Sequence, residues 1–147
     1  MITTMSRSGP SKFHSIFRRS SSIPTAERHA HVFDASTGFL TPTTLTSPNA
    51  QDNGEFGRSV AVGGTTVVVG APLETVGSLL TFAGHSYSFD ASTGFLTTTL
   101  TSPNAQTGGE FGSSVAVNEG DPIVVVGAPD ESGGGSPVGG HAYVFFF

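Results

Sequence analysis

Histidines 29, 85 and 141 stand at equal intervals along a chain of 147 residues. Three imidazoles can hold a zinc ion. Intervals of this length, however, put them at equivalent places on successive units, too far apart to share one ion. They read instead as half-exposed strand residues on one face with Tyr87 and Tyr143, and His31 stands where those tyrosines stand. Ser, His and Asp side chains are all present, but there is no Gly-x-Ser-x-Gly turn and no base next to a chosen Ser. The run Gly133–Gly135 lacks the Lys of a phosphate-binding loop. Asp52, Asn53, Gly54 and Glu55 form an acidic cluster, yet the matching Thr107, Gly108, Gly109 and Glu110 lose two of its oxygen donors, so both read as turns. With no Cys there is no disulfide, no thiolate metal site and no Cys nucleophile. The side chains point to a non-enzyme.

What positions these residues is a repeat. Phe33–Val62 and Phe89–Val117 agree at 26 of 29 aligned positions once Pro42 is set aside, and Gly84–Phe89 (GHSYSF) returns as Gly140–Phe145 (GHAYVF). A fixed period in the tens of residues marks units that stack because none can bury its apolar face alone. Each period reads as four strands. The first is Gly57–Val62 or Gly112–Val117, and the second is Thr66–Val69 or Ile123–Val126, apolar throughout and so buried on both faces. The third is His85–Phe89 or His141–Phe145, with His85, Tyr87 and Phe89 on one face and Ser86 and Ser88 on the other. The fourth is Phe95–Thr101, with Phe39–Thr46 as its earlier copy. Asp90–Gly94 and Asp34–Gly38 read as tight hairpins, since Asp bonds nearby backbone and Gly accepts positive φ.

Composition agrees with an all-β chain. Gly 20, Pro 9 and only 12% charged residues suit short strands and tight turns. No run nears the roughly 20 apolar residues of a membrane-spanning helix. Residues 29–147 carry a net −9 with Arg58 their only base, which gives phosphate backbones nothing to hold, so nucleic acid is not an expected partner. Residues 1–27 stand apart as a basic, Ser- and Arg-rich segment. Phe13, Ile16 and Phe17 fall at helical spacing beside Lys12, Arg18 and Arg19. Two readings stay open: a disordered or weakly helical tail, and an organellar transit peptide. No secretory h-region of about 7–15 apolar residues follows the bases.

Four antiparallel strands per repeat is the pattern of a β-propeller blade. Phe56-Gly57 and Phe111-Gly112, each followed by Ser-Val-Ala-Val and then by Gly70–Pro72 or Gly127–Pro129, resemble the FG-GAP repeat of integrin α propellers. The resemblance covers residues 28–147, in units of about 28–83 and 84–147. It implies a partial propeller of about two blades and a scaffold or adhesion role at the cell surface, in association with proteins. Integrin-like blades hold calcium on an Asp-rich loop between the first two strands. Here that loop is Gly63-Gly64-Thr65 in one unit and Asn118, Glu119, Gly120 and Asp121 in the other, so Asn118, Glu119 and Asp121 are the calcium candidates. No other cofactor is expected. Two alternatives stand beside this reading. One is a fragment of a quinone-dependent dehydrogenase propeller, which the absence of Trp opposes; the other is a glycan-binding module. Counting strands in blade order leaves nine, too few for a closed ring of roughly four to eight blades. The open edges predict self-association or a protein partner.

Overall fold

The runs of β-branched residues, punctuated by Gly and Pro, form strands only; among the described residues there is no helix, and none that could cross a membrane. The computed structural model describes residues 13–16 (as backbone), 28–34, 42–120, 123–133 and 139–147. Ten strands in these residues make three antiparallel sheets, the architecture of a partial β-propeller.

The central sheet is a complete blade, in the order β4 (Ser59–Gly63), β5 (Thr66–Ala71), β6 (His85–Asp90) and β7 (Leu96–Leu100). Its hairpin between β6 and β7 closes as the residues demand. Gly94 has φ 73° and its N–H donates to the Asp90 carbonyl at 2.8 Å. Oδ1 of Asp90 accepts hydrogen bonds from the hydroxyls and backbone N–H groups of Ser92 and Thr93. Those bonds, the Ser92 and Thr93 hydroxyls foremost, lower the Asp90 carboxyl to about 2. Residues 35–38 of the matching first turn lie outside the described residues.

The other two sheets have three strands each. The last contains β8 (Ser114–Val117), β9 (Ile123–Ala128) and β10 (His141–Phe146), and nothing in the described residues pairs with the outer edge of β10. The first contains β2 (His29–Asp34) and β3 (Thr43–Thr46), equivalent to β6 and β7, plus β1 (Phe13–Ile16). Strand β1 corrects the helical reading of the leading segment: Phe13 pairs with Asp34 and Ile16 with His31. A helix this short has too few hydrogen bonds to stand alone, whereas an open sheet edge satisfies the backbone of any extended segment. Strand β1 takes the place beside β2 that β5 takes beside β6. The rest of residues 1–27 lies outside the described residues.

Each sheet has a front face, carrying the His-x-Tyr-x-Phe side chains, and a back face, carrying the residues between them. The back of one packs on the front of the next. Ala30, Val32 and Leu45 of the first sheet share a core with Phe56, Val67, Val69, Ala71, Tyr87 and Phe89. Val68 and Leu100, from the back of the central sheet, share a second core with Phe111, Val124, Val126 and Ala128. Successive valines of β5 therefore enter different cores, and Val67, Val68 and Val69 are all buried. Each such burial is worth about 1.5–3 kcal/mol, so stacking, not strand pairing alone, holds the sheets together.

Candidate functional site

The most unusual chemistry lies where Gly-Ala-Pro ends. Glu74 follows that turn by two residues and is buried to 1% exposure; its counterpart Glu131 is at 0%. A buried carboxylate must be hydrogen-bonded or neutralised. Glu74 is bonded at both oxygens. Oε2 accepts from the Tyr87 hydroxyl, and Oε1 accepts from the Ser47 hydroxyl at 2.5 Å. Nδ1 of His85 is 3.2 Å from the same Oε2 without making a hydrogen bond to it. The imidazole stacks on the Tyr87 ring, centroids 5.7 Å apart. Burial, together with the bond to Glu74, raises the Tyr87 pKa far above that of a free phenol, which keeps the hydroxyl proton in place as donor.

The last sheet repeats the set in looser form. The Tyr143 hydroxyl donates to Glu131 Oε2 at 2.5 Å, and His141 Nδ1 is 3.5 Å from the same oxygen. Burial and Glu131 also raise the Tyr143 pKa. Glu131 Oε1 has no partner among the described residues, where Ser47 serves Glu74.

A polar clasp holds each glutamate in place. Gln51 accepts from the Thr75 N–H at 2.8 Å and donates to the Thr75 carbonyl at 3.1 Å, copying a strand pairing with one side chain. Gln106 and Ser132 form the same pair at 3.1 and 2.9 Å. The segments Ser47–Gln51 and Ser102–Gln106 thus tie each inter-sheet connection to the loop that follows Gly-Ala-Pro. A cavity of about 20 Å³ beside Glu74, between Gln51, Gly54 and Phe56, has room for about one water and none for a substrate. The arrangement is suited to holding sheets in register.

The candidates read from sequence fall elsewhere. Asn118 and Glu119 stand exposed in the turn between β8 and β9, where the Asn118 N–H donates to the Ile123 carbonyl at 2.9 Å. Asp121 lies outside the described residues. That turn and Gly63–Thr65 line one cleft of about 240 Å³, in which Glu119 is the only side-chain carboxylate among the described lining residues. No group of three or more metal-binding side chains occurs among the described residues. His85 is buried, not half-exposed as its strand position suggested. The acidic cluster is a turn closed by Gly54 N–H on the Gln51 carbonyl, and Glu55 pairs with Arg58 and with Arg28, the latter at 3.4 Å. Sequence reasoning missed Glu74 and Glu131. Their one signal was recurrence, a Glu two residues beyond Gly-Ala-Pro in both copies.

Comparison with known proteins bears on the whole arrangement. The FG-GAP repeat family matches at residues 42–82 and 96–145, more than half of the chain. No curated protein shows significant similarity to it.

Proposed function

Because the chain belongs to the FG-GAP repeat family, we propose that it is a non-enzymatic association module whose working surface is the uncovered back face of its last sheet. One comparison carries the reading. Ser86 and Ser88, on the back of the central sheet, are 0% and 2% exposed beneath the next sheet. At the equivalent places β10 has Ala142 and Val144, with Phe146 one step further; Val144 is 52% exposed and Phe146 76%. Apolar groups thus stand in the open where their polar counterparts are covered. Exposed apolar patches on stable sheets mark association sites, and the outer edge of β10, unpaired among the described residues, adds open backbone groups.

The buried glutamate–tyrosine sets support the same role, since they stiffen the stack and leave no opening for a substrate. Light scattering of the full chain beside Val144→Glu tests the reading, with circular dichroism confirming that the variant folds. The expected outcome is a mass that rises with concentration in the parent chain and stays at 15.0 kDa in the variant. A parent chain that is monodisperse and monomeric, indistinguishable from Val144→Glu, sinks it.

A further inference from the structure

We infer, resting on that reading, that the partner is a second copy of this chain, seated head to tail. The back face of β10 in one copy packs on the front face of β2 in the other, and the reverse contact closes a two-copy ring. The template is inside the chain. Strand β2 reads His-Ala-His-Val-Phe and β10 reads His-Ala-Tyr-Val-Phe, so the back of the last sheet repeats the Ala-x-Val pair of the first. In β2 that pair, Ala30 and Val32, is buried at 5% and 4% exposure against Val69, Tyr87 and Phe89. In β10 the same pair, Ala142 and Val144, is exposed.

The matching surface is also present and also uncovered. The front of β2 offers His31 and Phe33 at the places of Tyr87 and Phe89, and both are only half-buried although Tyr87 and Phe89 are fully so. Their rings lie side by side, centroids 6.4 Å apart, and Thr44 Oγ1 is 3.2 Å from His31 Nδ1. The front of the first sheet and the back of the last are thus the two halves of an interface whose complete form the described residues already contain twice. A face seated on a different face makes a heterologous contact, which closes only if the rotation allows. Two copies bring six sheets, within the roughly four to eight of closed propellers.

Face stacking is favoured over exchange of strands. Strand β3, the equivalent of the β7 that β10 lacks, is already paired with β2 and would have to leave its own sheet to complete the β10 edge.

The chain has no Cys, so introduced thiols are unique. Phe33→Cys and Val144→Cys chains, each shown to fold by circular dichroism, are mixed and treated with a short bis-maleimide. The expected result is a dimer of two 15.0 kDa chains, joined mainly between positions 33 and 144, with either variant alone giving several-fold less product. Products joined 144 to 144 would instead show edge-to-edge pairing about a twofold axis. That outcome, or masses that grow past the dimer with concentration, overturns this inference and leaves the association reading standing. A parent chain that stays monomeric overturns both. Should Phe33→Cys fail to fold, His31→Cys takes its place with the same outcomes.

Discussion

At the scale of single residues, the two buried glutamates are the same motif in two states of completion. Glu74 has both oxygens bonded, by Tyr87 and Ser47, deep between two sheets. Removing it strands the buried Tyr87 hydroxyl and the half-buried Ser47 hydroxyl, and a buried group left without a partner costs about 1–3 kcal/mol. Glu74→Ala should therefore cost about 3 kcal/mol in urea unfolding. Glu131→Ala removes a carboxylate with one unbonded oxygen and leaves a Tyr143 that is only part-buried and open to water; it should cost about 1 kcal/mol. Equal costs would mean that the partners of the carboxylate do not set its worth. Asp90 makes a second test, this time of pH. Its folded carboxyl, held at about 2, lies below the ordinary 3.8, so its contribution is complete above about 3.8 and is lost as pH falls toward 2. Asp90→Asn should lower the melting temperature at neutral pH, with the gap to the parent chain closing across that acid range. A gap constant with pH would assign the loss to something other than the Ser92 and Thr93 bonds.

At the scale of elements, packing of one sheet on the next sets what each strand can carry. A Cβ on Gly70 would come within 2.0 Å of the Gly112 carbonyl oxygen, which belongs to the segment entering the next sheet, and within 2.3 Å of Ser59 Oγ. Its equivalent, Gly127, would meet Ser114 Oγ at 2.3 Å, a hydroxyl that can rotate, and no backbone closer than 3.9 Å. Gly70→Ala should therefore cost about 3 kcal/mol and Gly127→Ala under about 1 kcal/mol, read from denaturant midpoints at low concentration. Similar losses would place the constraint within the strand instead of between sheets. The strands themselves were legible in sequence. The valine run of β5 announced burial on both faces, and Val67–Val69 deliver it. Two features were not legible, for separate reasons. Four residues of Phe13–Ile16 are too few to separate helical spacing from strand alternation, and the open edge of β2 decided for strand. Glu74 stands 13 positions from Tyr87 across an irregular loop, a separation that no period links, so nothing in the sequence joins the two.

At the scale of the whole molecule, the first and last of the three sheets each pack on one neighbour among the described residues, and the central sheet packs on two. Stability in such a stack is a sum of unit terms and nearest-neighbour terms. The central sheet collects two neighbour terms and each outer sheet collects one. Val68 and Val125 measure the difference, because they hold the same register position, opposite Ala61 and Ala116. Val68 is 0% exposed in the second core, whereas Val125 is half-buried on the back of the last sheet. In a dilute, monomeric chain Val68→Ala should cost about 2–3 kcal/mol and Val125→Ala about 1 kcal/mol or less. If a second copy supplies the missing neighbour, mass action changes only one of these values. Association stabilises the folded parent chain more as concentration rises, and Val125→Ala forfeits part of that gain while Val68→Ala loses its contacts within the chain at any concentration. Thermal melts of the parent chain and both variants, taken from about 1 to about 100 µM, should show the Val125→Ala deficit widening and the Val68→Ala deficit staying level. Two deficits that both stay level would mean that the last sheet keeps its open face in solution.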